Sequence, residues 1–257
     1  MSNVKSELTS GMLFEYRNKV VYNLLHKIDA NVHADSYTGC KGNDMYAEPE
    51  FTGKYIDLCM KLYRDTGDVK ALENAKTVVD SIVVNQREDG YLGCLLPGKE
   101  TWNLSIWNEA FTIFGLVSYY EETGDERALN AADKCVCYVM DYFMAGKADI
   151  LNALNGGTQH ISILPFICKL YKATKNEKYK KYILFIVDTI KNSDLNYFDF
   201  DSILELRTRK GIESFVILLG ILEYADIFGD KEAIASVEKY WQQVADTQVR
   251  NTGNATL

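Results

Sequence analysis

The chain has little proline and little histidine, three of each in 257 residues. So few helix breakers leave room for long helices. It has no run of Lys and Arg to offset a net charge of −8. Nucleic acid is therefore not an expected partner, and a polyanionic substrate would be mildly repelled. Its longest apolar stretch, Phe215 to Leu222, is far too short to span a bilayer, so no membrane association is expected. Met1 to Ser10 is polar and lacks the apolar core of a secretory signal. The six cysteines (Cys40, Cys59, Cys94, Cys135, Cys137 and Cys168) match no disulfide framework or zinc spacing. Free thiols without a signal point to the cytoplasm. Cys135 and Cys137, two apart on a helix, face different ways and are poorly placed to share a metal. GxGxxG, P-loop, HExxH, paired CxxC and GxSxG patterns are all missing, which argues against nucleotide, zinc-protease and α/β-hydrolase chemistry.

What is present is an ordinary globular balance, 47% hydrophobic and 25% charged, which excludes disorder. It is organised by an internal repeat. Leu62-Tyr-Arg-Asp-Thr-Gly-Asp68 returns as Tyr119-Tyr-Glu-Glu-Thr-Gly-Asp125. Looser copies are Leu170-Tyr-Lys-Ala-Thr-Lys-Asn176 and Glu223-Tyr-Ala-Asp-Ile-Phe-Gly-Asp230. The turn positions Gly67, Gly124, Lys175 and Gly229 stand 57, 51 and 54 residues apart, a period that fits two helices and two loops. A glycine at positive φ closes the first helix, and Asp68, Asp125, Asn176 or Asp230 caps the next. Lys175 breaks the pattern, so the third turn is expected to be less regular.

After each turn, apolar residues recur at helical spacing: Leu72, Ala75, Val79 and Ile82; Leu129, Ala132, Val136, Val139 and Phe143; Tyr182, Ile186 and Ile190; Ile234, Val237, Trp241 and Val244. The helices before the turns are apolar on more than one face, as in Ile161 to Leu170, and are read as an inner layer. Gly115 and Gly220 each lie nine residues before a turn glycine, where only a close helix approach would justify them. The spacing predicts helices at about 11–27, 51–65, 69–85, 106–122, 126–143, 159–173, 177–192, 210–227 and 231–249. The fold class is all-α, an (α/α) barrel or toroid of repeated hairpins in one domain over 1–257, and it looks incomplete.

Long loops at about 28–50, 86–105, 144–158 and 193–209 fall at one end of the array and would carry the site. Five clusters lie there. Glu48 and Glu50 open an inner helix, where dipole compensation is the plain alternative to catalysis. Asp89-Gly-Tyr91 is a turn signal that also presents a carboxylate and an aromatic ring. Trp102 to Glu109 offers Trp107, Asn108 and Glu109 as a sugar platform, or as buried structure. Gln159 and His160 open another inner helix, and Arg207, Arg209 and Lys210 another. Glu50, Asp89 and Glu109 are the carboxylates available for glycoside hydrolysis. Tyr91, Trp107, Asn108, Gln159, His160 and Arg209 are candidate substrate contacts.

These residues carry a family resemblance. Glu50-Phe-Thr-Gly-Lys-Tyr55, Leu62 to Asp68, Gln86-Arg-Glu-Asp-Gly-Tyr-Leu-Gly93, Tyr119 to Asp125, His160 to Thr174 and Thr252-Gly-Asn-Ala255 resemble, in order and spacing, the β-L-arabinofuranosidase family, glycoside hydrolase family 127 and its relatives. The resemblance covers most of the chain from about residue 46. It implies an (α/α)6 catalytic barrel that removes terminal sugars with retention, using a glutamate acid/base and a cysteine nucleophile held on zinc. His160 matches a substrate-contacting histidine. Phe111 and Lys210 stand about where two further family histidines are expected. The acid/base glutamate and the zinc-cysteine region would lie past the Thr252–Ala255 motif, beyond Leu257. None of the six cysteines here is carried over, and zinc is expected only with that segment. The chain is thus expected to supply the substrate-binding N-terminal part, with self-association or a partner covering its open inner helices. A sugar epimerase, an unsaturated-uronyl hydrolase and a non-catalytic α-solenoid that binds protein are the alternatives. A wet, polar concave face would favour sugar, and an apolar groove a peptide.

Overall fold

The computed structural model describes residues 10–37, 48–93, 95, 96, 98, 102–152, 157–206 and 210–249. Every described element is helical. Helix α1 (Met12–Tyr22) runs into a π-helical turn, Asn23–Lys27, and is followed by the short α2 (Ala30–Ala34). Four hairpins follow. They are α3 (Glu48–Thr66) with α4 (Val69–Asn85), and α5 (Trp102–Thr123) with α6 (Glu126–Met144). After a short α7 (Thr158–Ile161) come α8 (Leu164–Thr174) with α9 (Glu177–Lys191), and α10 (Gly211–Phe228) with α11 (Lys231–Thr247).

The repeated turn behaves as its chemistry dictates. The side chains of Asp68, Asp125, Asn176 and Asp230 accept from the N–H of Lys70, Arg127, Lys178 and Ala233, at 2.9, 3.0, 3.1 and 3.0 Å. Each cap satisfies a helix-start donor that would otherwise lack a partner. Thr66, Thr123 and Thr174 add a second link. Each hydroxyl donates to the carbonyl four residues back and accepts from the N–H of the capping residue. The third turn is no less regular than the others, contrary to the expectation from its sequence. Lys175 takes φ 57°, beside 70°, 70° and 72° at Gly67, Gly124 and Gly229, and its N–H reaches the Tyr171 carbonyl at 2.7 Å. The cap and the threonine bridge hold a left-handed lysine that costs about 1 kcal/mol.

The inner helices α3, α5, α8 and α10 pack side by side in chain order, each backed by its outer partner. Their close approach explains the helical glycines. A Cβ on Gly53 would lie 2.0 Å from the Phe111 carbonyl oxygen, and one on Gly115 would lie 2.5 Å from that of Gly53. Backbone therefore meets backbone where α3 crosses α5. Gly220 meets side chains instead: a Cβ there would lie 2.8 Å from Leu164 and Pro165 of α8.

Several predicted boundaries shift, and α5 begins at Trp102, inside the loop expected at 86–105. The loop expected at 28–50 contains α2, seated on α3 and α4. The inner helix expected at 159–173 is interrupted at Ser162 and Ile163, and restarts with Pro165 in its first turn, where the missing N–H costs nothing. Trp241, which falls on the apolar stripe of α11, is 60% exposed.

Candidate functional site

Because tight turns occupy one end of the hairpins, the starts of α3, α5, α7 and α10 gather at the other, the mouth. Phe111 is the hub of its first half. Its ring lies 5.1 Å from Trp107, edge-on, and 5.1 Å from Phe166 of α8. The Lys54 ammonium stands 4.2 Å from the Phe111 centroid and pairs with Glu50 one turn earlier. Glu50, Trp107 and the position expected to hold a family histidine are thus brought together, and Phe111 fills that position with an apolar ring.

The second half joins α7 to α10. Thr158 Oγ1 donates to Glu213 Oε2 at 2.5 Å, and Lys210 Nζ lies 2.7 Å from Glu213 Oε1. Thr158 and Glu213 are wholly buried, whereas the Lys210 side chain is half exposed. Glu213 was not singled out in the sequence, although Lys210 three residues before it is the i,i+3 signal of such a pair. Between the two halves, Gln159 is buried, and its Oε1 has no hydrogen-bond partner among the described residues. Asn108 is buried beside Trp107 in α5.

Four candidates lie elsewhere. Glu109 is fully buried, close enough to α6 for its charge to raise the Cys135 thiol further, after desolvation. His160 turns the same way. Its Nδ1 is 2.9 Å from the Ile150 carbonyl, and its ring is 5.1 Å from Phe143 of α6. That contact sets the ring orientation and places the Nδ1 proton. Asp89 pairs with Arg87 and accepts from the Tyr91 N–H at 3.2 Å, the work of a turn residue. Tyr91 is buried edge-on against Tyr138 of α6, with Arg87 4.6 Å over its face. Gln86 ties the same loop to the Ala131 carbonyl at 2.9 Å. This segment thus folds onto the outer layer. Arg209 lies outside the described residues.

Toward the turns, the inner faces line an open cleft of about 400 Å³. An ionic ladder crosses it. Lys61 pairs with Asp57 at 2.7 Å, and Ser118 donates to Asp57 at 2.8 Å. Lys169 donates to Ser118 at 2.8 Å and pairs with Glu121 at 3.0 Å. Lys172 joins α8 to Glu223 and Asp226 of α10 at 2.5 and 2.6 Å. Phe114 lies between the Lys61 and Lys169 ammoniums, 5.7 and 4.6 Å from its centroid. The concave face is therefore charged and aromatic rather than a continuous apolar groove. The spacing of Asp57 and Lys61 inside an inner helix was the available signal.

The model of the β-L-arabinofuranosidase GH127 catalytic domain matches residues 6–256. The chain belongs to this family. Its fold is that of the solved GH127 enzymes. A GH127 β-L-arabinofuranosidase from Geobacillus stearothermophilus T6 superposes with a TM-score of 0.61 at 18% identity, over 94% of this chain and 43% of that one. A second GH127 β-arabinofuranosidase gives 0.60 at 20%, over 94% and 40%. A sugar epimerase from a ruminal bacterium gives 0.59 at 16%, over 93% and 73%. The chain thus spans less than half the length of the GH127 structures it matches. No curated protein matches it.

The zinc that the family resemblance implies does not fit the residues described. Among them no three His, Cys, Asp or Glu side chains converge to hold a metal. Cys59, Cys135 and Cys168 are buried in separate places, on α3, α6 and α8. Burial pushes the Cys59 thiol up to about 12 and those of Cys135 and Cys168 upward as well, opposite to what a zinc thiolate requires. Cys40 and Cys94 lie outside the described residues. Among the described residues no helix is long and apolar enough to cross a membrane.

Proposed function

We propose that this chain forms the sugar-binding part of a β-L-arabinofuranosidase-type glycoside hydrolase, with its substrate at the mouth of the inner helices. Family membership supports the reaction class. The observation that carries the site is the side-chain Oε1 of Gln159, buried without a partner on α7, which packs between α5 and α10 and whose neighbouring Thr158 is bonded to Glu213. A buried acceptor left unmatched costs about 1–3 kcal/mol, and a sugar hydroxyl would repay it. Trp107 and Phe111 supply the apolar face that a pyranose or furanose ring packs on. The charged lumen behind them favours a hydroxylated ligand over a peptide. Glu50, on the inner face beside Lys54, is better placed to meet such a ligand than Asp89 or Glu109.

A panel of nitrophenyl glycosides, led by the β-L-arabinofuranoside and run with and without added zinc, tests the activity. Turnover that disappears in Glu50→Gln would place the chemistry in this chain. Binding without turnover would make it a wall of the site whose acid/base and nucleophile come from elsewhere. Absence of both would overturn the reading. Gln159→Leu sharpens the test: sugar binding should weaken at least tenfold while the thermal midpoint stays level or rises, because the substitution removes an unmatched buried acceptor. The epimerase alternative draws on the shared fold. Its convergent histidines are not met by His160, whose ring is engaged by Ile150 and Phe143, and sugar isomers among the products would favour it.

A further inference from the structure

The repeat gives an internal standard for the starts of the inner helices. Asn108, Gln159 and Glu213 each stand sixteen residues before their turn residues Gly124, Lys175 and Gly229, and all three are buried. The same place in the first hairpin holds Phe51, which is 58% exposed. Three successive hairpins thus bury a polar side chain at the matching position of the repeat. Within that set Gln159 and Glu213 stand in contrast. Both oxygens of Glu213 are matched, Oε2 by the Thr158 hydroxyl at 2.5 Å and Oε1 by the Lys210 ammonium at 2.7 Å. Gln159 Oε1 has no partner among the described residues.

Packing alone does not call for a carboxylate at position 213, since an apolar side chain of similar volume commonly stabilises as well as a buried ion pair or better. What the carboxylate adds is direction, because it ties α10 to the first residue of α7. Helix α7 needs such a tie. It is four residues long, too short to persist by itself, and its N-cap, Gly157 at φ 95°, supplies no side-chain cap. Ser162 braces it from the other end, donating to the Thr158 carbonyl at 2.7 Å. Successive residues on a helix point about 100° apart, so holding the Thr158 side chain on α10 also sets which way Gln159 turns.

We propose that Glu213 is a positioning residue of the sugar site, holding α7 through Thr158 so that the unmatched Gln159 oxygen stays aimed at the ligand. This rests on the reading that Gln159 meets the sugar. Lys210, half exposed, takes up the other Glu213 oxygen and so offsets the cost of burying the carboxylate.

Titration of the full chain with nitrophenyl β-L-arabinofuranoside tests this, read as Kd or, where there is turnover, as KM. Glu213→Leu and Thr158→Val should each weaken binding at least tenfold. Thr158→Ser, which restores the hydroxyl, should recover most of what Thr158→Val loses. The deciding measurement is the double-mutant cycle with Gln159→Leu. In that background Glu213→Leu and Thr158→Val should cost no further affinity, because a residue that acts through Gln159 has nothing left to position. A loss that adds in full to that of Gln159→Leu would overturn the role, and so would unchanged binding in the single variants. If Glu213→Leu does not fold, as circular dichroism would show, the Thr158 variants complete the same cycle. A wild-type chain that does not bind this sugar would overturn the underlying reading together with the role, and it is told apart because it shows before any substitution is made.

Discussion

At the turn end of the inner helices the same few residues recur, and at the mouth no two helix starts are alike. Four caps, three threonine bridges and four left-handed residues close the hairpins. The starts are a Glu50–Lys54 pair, a Trp107–Phe111 contact, a buried Gln159 and a Lys210–Glu213 pair. Repetition marks the end that specifies the fold, since one local solution serves every hairpin. Variety marks the end that meets a ligand, since each helix start there supplies a different group.

That contrast can be broken most forcefully between the two ends, at the crossing of α3 and α5. Gly53→Ala puts a methyl group into the Phe111 carbonyl and should cost about 3 kcal/mol or more, read as a lower urea midpoint or as a chain that fails to fold. A neutral result would mean that the helices separate easily. Next in size are the caps. Asp125→Ala and Asp230→Ala should each lose about 1 kcal/mol. These two carboxyls also set a pH dependence. The Arg127 guanidinium holds Asp125 below its ordinary 3.8, and the Ala233 N–H, assisted by Tyr224 and Lys191, holds Asp230 below it. Their contribution is complete above about pH 4 and is lost as pH falls through the depressed folded values. The double variant should therefore show a flatter acid limb than the wild type, and identical limbs would contradict the assignment. The smallest effect belongs to the third turn. Lys175→Gly should gain about 0.5 kcal/mol, the relief of left-handed strain less the entropy of a glycine, while Gly124→Ala loses about 1 kcal/mol.

Most of the fold could be read from the residues because the turn chemistry is local. A glycine and a cap six residues into a motif define both helix ends without knowledge of the rest. Lys175 keeps the third turn regular because the αL cost of a side chain is small beside a cap, a threonine bridge and a buried hairpin. Helix α2 escaped notice because five residues show no period. The site was less legible, since it depends on which face a helix turns inward. His160 opens an inner helix as expected, yet its ring leans on α6, and the Asp89–Tyr91 segment folds onto α6 as well. Conversely, Glu213 stands three residues after Lys210, just past the loop expected at 193–209, and is completely buried. Sequence spacing locates a residue along a helix far better than around it when every face is apolar.

The contact between Gly53 and Phe111 has a further bearing on how such a mouth can be altered. With no side chain on one partner, there is no rotamer to absorb a change. The peptide plane that carries Phe111 is fixed directly by the helix that carries Glu50 and Lys54. The two helices therefore move as one lever, and selection for a new ligand would have to rewrite the tips of the lever rather than shift its fulcrum.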